Sequence, residues 1–120
     1  MARALLVLAH GSRRRASNEE IRHLSARLAA RLGGQYDRVM PAFLELAEPS
    51  IPVAIDEAIA AGAGEVVLFP YFLAAGRHVR EDIPRLVAEA RQRHPQACLE
   101  LRPHLGELPG LIRLIAESLR

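Results

Sequence analysis

The sequence predicts a small doubly wound α/β domain, a four-stranded parallel sheet with helices on both faces. Two observations carry that expectation. Short apolar runs alternate with amphipathic stretches, strand then helix, four times along the chain, and such alternation is the signature of parallel strands joined by right-handed crossovers. The chain has 120 residues, within the usual range of about 100–150 for one hydrophobic core, so residues 1–120 are expected to form a single domain.

The elements follow in order. Residues 3–9 are almost purely apolar, as expected of a strand covered on both faces. Ser17-Asn18-Glu19-Glu20 has the spacing of a capping box at a helix start. Ile21, Leu24, Leu28 and Leu32 then recur at helical spacing, and Gly33-Gly34 stops the helix. Residues 36–43 read as the second strand. Ser50 is placed to cap a second helix with Ile51, Ile55 and Ile59 on one stripe and Gly62 at its end. Pro52 is tolerated there because first-turn N–H groups have no helical partner.

Residues 65–72, with Val66-Val67-Leu68-Phe69, form the third strand. A glycine-containing loop follows, then a third helix with Pro84 near its start, running to about Arg93. Residues 97–101 are the fourth strand, with Cys98 expected as a small core residue. The last helix covers 108–119, with Leu108, Leu111, Ile112, Ile115 and Leu119 expected to face inward. The expected flavodoxin-like strand order is 2-1-3-4. It creates a topological switch point between the first and third strands, and ligands of such folds bind there, outside the carboxyl ends of the strands.

Composition narrows the function classes. Apolar residues make up 50% and charged residues 25% of the chain, as in ordinary globular proteins. No apolar run approaches the roughly 18 residues of a membrane span. The first ten residues superficially resemble a signal peptide, but their apolar run is short and leads into His10-Gly11-Ser12-Arg13 rather than a cleavage site. A buried strand in a cytoplasmic protein is therefore expected. The single cysteine fits a reducing compartment and leaves no cysteine-rich metal site. All sixteen basic residues are arginine, yet the net charge is only +2. Arg3, Arg13, Arg14 and Arg15 all precede the first acidic residue, Glu19, a cluster suited to an anion. Nucleic acid is disfavoured, because aromatics are 4% of the chain and no basic stripe runs along a helix.

Two histidines arrive at the switch point. His10 immediately follows the first strand, and His78 lies in the loop after the third. Imidazole suits divalent transition metals, and two histidines would hold an ion while leaving coordination positions open. Either one alone is better explained by a hydrogen bond to loop backbone. It is their arrival at one crevice that favours a site. His104, after the fourth strand, also falls on this edge. His23 is expected in solvent and His94 at a helix end, where the dipole favours it. Glu45 and Glu48 follow the second strand on the same edge, where a carboxylate can accept a proton or simply be solvated. Glu81 and Asp82 occupy a first helical turn, where negative charge is expected on structural grounds.

The motifs resemble those of the short-form sirohydrochlorin chelatase family, which belongs to the class II chelatases. The resemblance runs through the whole chain: His10-Gly11-Ser12-Arg13 after an apolar strand, residues 43–50, Pro70-Tyr71-Phe72-Leu73, Gly76-Arg77-His78-Val79, Asp82-Ile83-Pro84, and Leu105-Gly106 followed by Pro109. It implies a chelatase-like half that inserts a divalent metal into sirohydrochlorin, cobalt first, iron next and nickel third, with no cofactor beyond that metal. It implies His10 and His78 as metal ligands, His10 as the base, and Glu45 near the macrocycle. Ala74, Ala75, Gly76, Arg77, His78 and Val79 would line the pocket. Arg13, Arg14, Arg15, Arg77 and Arg80 are candidates for the substrate carboxylates. Long members carry two such halves. This chain shows no internal repeat, so a homodimer is expected.

Two other readings stay open. One is a non-catalytic tetrapyrrole or metal carrier, or a partner-dependent half of a larger chelatase. The other is phosphoryl transfer on His10, although Ala9 stands where histidine phosphatases carry arginine.

Overall fold

The computed structural model describes residues 2–120. Eight regular elements alternate: β1 (Ala2–Ala9), α1 (Arg15–Leu32), β2 (Arg38–Phe43), α2 (Ile51–Ala60), β3 (Ala63–Pro70), α3 (Ile83–Arg93), β4 (Cys98–Leu101) and α4 (Leu111–Ser118). All strand pairs are parallel, in the order β2-β1-β3-β4, as expected.

Register divides the side chains between two faces. Leu5 of β1 lies between Val39 and Val67, and Leu6 lies between Met40 and Leu68. Ala4, Leu6, Leu8, Ala42, Val66, Leu68 and Leu99 pack with Ile51, Ala54, Ile55 and Ala58 of α2 and with Ile83, Val87 and Ala90 of α3. This is the core of the molecule. The opposite face carries only α1, which packs on β1 and β2.

Four expectations are corrected. Ser17 is not a cap: α1 begins at Arg15, and no side chain caps it. Asn18 instead turns back, accepting from the Ser12 amide (2.9 Å) and donating to the Ser12 carbonyl (2.8 Å). Asn18 and Ser25 are the buried residues of α1, while Leu24, Leu28 and Leu32 stay half-buried. Cys98 is exposed, because it opens the edge strand and no helix covers it.

The third and fourth corrections concern helices. Residues 78–82 form a π turn, closed by the Ile83 amide donating to the His78 carbonyl. Pro84 has no N–H with which to continue an α-helical ladder across this point. The last helix starts at Leu111 and buries nothing. Ile112 is 74% and Leu119 79% exposed, with Leu108, Leu114 and Ile115 also exposed. Its substantial contacts are with the 3-10 turn Leu105–Glu107 from which it departs. It projects from the body, and the long axis reaches 47 Å against 31 and 27 Å.

The remaining boundaries match within two residues. Ser50 caps α2 by accepting from the Val53 amide. Gly33, at φ +60°, ends α1.

Candidate functional site

β1 and β3 are neighbours, so the loops after them meet at the carboxyl edge of the sheet. His10 leaves β1 there, and His78 opens the π turn beyond β3. Their rings lie 4.7 Å apart, centroid to centroid, crossed at 80°. The sequence expectation that both reach one crevice is met in its geometry.

Each imidazole has its own carboxylate. His10 Nε2 lies 2.9 Å from Glu45 Oε2, and His78 Nδ1 lies 2.7 Å from Asp82 Oδ2. A neutral imidazole carries one proton, and a carboxylate can only accept. The proton of His78 therefore sits on Nδ1 and leaves Nε2 as a free electron pair. His10 is the reverse, with its proton on Nε2 and its electron pair on Nδ1. The four side chains are between a quarter and just over half exposed, so the cluster is open to solvent.

Local structure explains how these groups converge. Gly11 has φ +93°, and a Cβ there would lie 1.8 Å from the Glu45 carbonyl oxygen. Only glycine lets the two loops approach so closely. The Glu45 amide also donates to the His10 carbonyl (3.1 Å). Ser12, clamped by Asn18, accepts from the Arg14 amide (3.0 Å), which fixes the turn into α1. On the other side, the π turn widens the backbone spiral between His78 and Asp82, a feature common at functional sites.

The loop of Ala74, Ala75, Gly76, Arg77, His78 and Val79 is exposed up to Arg77 and half-buried beyond it. Arg80 donates to the Ala75 carbonyl (3.0 Å), and Arg77 pairs with Glu81 at 3.4 Å. The loop rests on the turn 105–107. The Gly106 amide donates to the Phe72 carbonyl, and a Cβ at Gly106 would strike the Leu73 carbonyl oxygen at 1.8 Å.

Other candidates are placed elsewhere. Glu48 offers its carbonyl to Arg22 (2.9 Å). His94 lies against Asp56 of α2 (2.7 Å), which Arg93 also reaches (3.1 Å). The hydrogen bond from His94, with that from Arg93, holds the Asp56 carboxyl below its usual range. His104 is largely buried beside Gly106 and 3.3 Å from Glu107. His23 is exposed on α1. Arg13, Arg14 and Arg15 are exposed, and none forms an ion pair among the described residues.

No site role was expected of three further residues at this edge. Asp82 looked like an ordinary helix-start charge, and its spacing of four from His78 was the available signal. Leu46, at φ +64° and 54% exposed, follows Glu45, and Leu73, 71% exposed, precedes the loop. Among the described residues no group of three or more His, Cys, Asp or Glu is arranged to hold a metal ion.

The chain shares this four-stranded parallel architecture with solved structures. Across 98% of this chain and 93% of the other, it superposes on the CbiX protein of Marinobacter aquaeolei VT8 with a TM-score of 0.78 at 29% identity. It also shares the fold of one half of the sirohydrochlorin chelatase SirB of Bacillus subtilis subspecies spizizenii, solved with cobalt. There the TM-score is 0.84 at 24% identity, covering 99% of this chain and 50% of that one. The chain belongs to the CbiX family, whose sequence model matches residues 4–120.

Curated relatives include the chloroplastic sirohydrochlorin ferrochelatase of Arabidopsis thaliana, 43% identical over 89 residues. The sirohydrochlorin cobaltochelatase of Methanocaldococcus jannaschii is 36% identical over 91 residues. These matches cover 74% and 76% of this chain, which spans 39% of the plant protein's length and 62% of the archaeal one's. Among the described residues no helix is long and apolar enough to cross a membrane.

Proposed function

We propose that this protein inserts a divalent metal, cobalt first and iron next, into sirohydrochlorin in the cytoplasm. The observation that carries the reading is the pair of imidazole–carboxylate couples, His10–Glu45 and His78–Asp82, with rings 4.7 Å apart. Insertion exchanges one M²⁺ for two pyrrole N–H protons. It needs a donor that holds the metal loosely and groups that accept two protons. The electron pairs of His78 Nε2 and His10 Nδ1 serve the first need. Two imidazoles bind an ion yet leave positions open for the macrocycle nitrogens, whereas a closed four-ligand shell would retain it.

Proton removal follows from the same couples. As the metal leaves an imidazole for a pyrrole nitrogen, the freed electron pair becomes a base near neutral pH. Its carboxylate stabilises the resulting imidazolium and orients the ring. His10 is assigned as the principal base, with Glu45 as its partner beside the macrocycle. Ala74, Ala75, Gly76, Arg77, His78 and Val79 form one wall of the pocket. Leu46 and Leu73 offer apolar contact to the flat ring, and one or two of the arginines at 13–15, 77 and 80 bind its carboxylates. A second copy of the chain encloses the remaining face of the macrocycle.

The test is anaerobic insertion followed by the absorbance change of sirohydrochlorin, with cobalt and iron in parallel. The reading expects turnover above the spontaneous rate. Stoichiometric metal binding without turnover would replace it with a carrier role.

A further inference from the structure

The loop between β2 and α2 carries Glu45, and few bonds hold it. Its first residues follow β1: the Leu44 amide donates to the Ala9 carbonyl (3.0 Å) and the Glu45 amide to the His10 carbonyl (3.1 Å). Its far end returns to the strand, where the Phe43 amide donates to the Pro49 carbonyl (2.9 Å). Between these anchors Leu46 sits at φ +64°, 54% exposed. Among the described residues, one side chain bonds the backbone of this segment. It is Arg22 of α1, whose Nη2 donates to the Glu48 carbonyl at 2.9 Å.

Arg22 is itself held. Its Nη1 donates to Glu19, one helical turn earlier (2.8 Å). Its guanidinium carbon lies 5.4 Å from the ring centroid of Phe43, which is fully buried. A guanidinium presents its donors in a rigid plane, so fixing Nη1 aims Nη2 at the loop. Asn18 stands one turn before Arg22, on the same side of the helix, and clamps Ser12 through two hydrogen bonds (2.9 and 2.8 Å). One stripe of α1 therefore grips both segments that meet in the His10–Glu45 couple. Both side chains of that couple are about half exposed, so water competes for each. Their 2.9 Å contact depends on the two backbones being held in place. His78 and Asp82 share one turn of backbone and need no such clamp.

We propose that Arg22 is a positioning residue for metal insertion: it locks the loop of residues 44–49 to α1 and so keeps Glu45 on His10. This role rests on reading the His10–Glu45 couple as the principal base. The clamp itself is measurable without any insertion chemistry.

Amide hydrogen exchange of the wild type and Arg22→Met reads the clamp. Exchange at Phe43, Leu44 and Glu45 is expected to quicken about tenfold, the equivalent of one charge-assisted hydrogen bond, while Leu6 and Leu68 stay protected. Anaerobic cobalt insertion reads its use. Arg22→Met is expected to lower kcat at least about tenfold, Arg22→Lys less, and Arg22→Met to add nothing in a Glu45→Gln background. Unchanged exchange would overturn the clamp. Losses that multiply with Glu45→Gln would overturn its action through Glu45. If Arg22→Met exchanges faster throughout the sheet, Glu19→Gln decides instead, because it only loosens the aim of Nη2: quickening confined to residues 43–45 supports the clamp, and none overturns it. A wild type that inserts no metal overturns the chelatase reading, whereas insertion with unchanged exchange in Arg22→Met overturns the clamp alone.

Discussion

At the scale of single residues, the site depends on what Gly11 lacks. Its left-handed φ and the 1.8 Å approach of the Glu45 carbonyl to its missing Cβ mean that any side chain must push the two loops apart. Gly11→Ala is expected to cost at least about 1 kcal/mol through backbone strain, measured by urea unfolding. It should also reduce insertion more than it reduces stability, because Glu45 moves with its carbonyl. Unchanged turnover in a destabilised variant would detach Glu45 from the chemistry. The histidines were legible in the sequence because each directly follows or closely trails a strand, and parallel topology sends such positions to one edge. Asp82 was not, because a carboxylate in a first helical turn already has a structural explanation. The spacing of four from His78 was the one hint, and the 2.7 Å contact between the two side chains is what assigns Asp82 to the site.

At the scale of elements, strands and helices were legible wherever a cap or breaker agreed with the hydrophobic period. Ser50 and Gly33 are such cases. The capping box at Ser17 misled because the same residues serve tertiary structure: Asn18 is drawn into the Ser12 turn, and α1 starts three residues earlier. The middle of α2 is tied to the end of α3 by Asp56, His94 and Arg93. His94 was expected to serve only the helix dipole, but it also holds Asp56. The Asp56 carboxyl is held low in the folded state, so its contribution is present above the unfolded carboxylate range and is lost as pH falls through the lower, folded value. Asp56 is about half exposed and His94 about a quarter, so solvent screening keeps the effect below about 1 kcal/mol. Asp56→Asn is expected to lower the melting temperature by a few degrees at neutral pH, with the difference closing in strong acid. A constant difference across that range would assign the effect to packing.

At the scale of the whole molecule, parallel pairing follows from alternation and crossover handedness, and the order 2-1-3-4 from the small doubly wound class that this pattern defines. The position of α4 does not follow. Periodicity identifies an apolar face but not whether its partner belongs to the same chain, and Ile112, Ile115 and Leu119 look identical in either case. The radius of gyration, 14.4 Å, exceeds the roughly 13.6 Å expected of a compact chain this long, as a projecting helix requires. Clustered catalytic groups, by contrast, must act together. If His10 and His78 share one metal and act in its one insertion step, their contributions are not independent. The direct measurement is a double-mutant cycle on anaerobic cobalt insertion, comparing His10→Ala, His78→Ala and the pair. Each single substitution is expected to lose at least about 100-fold of the acceleration, and the double variant little more. Losses that multiply, or a single variant that keeps the wild-type rate, would contradict a shared metal site.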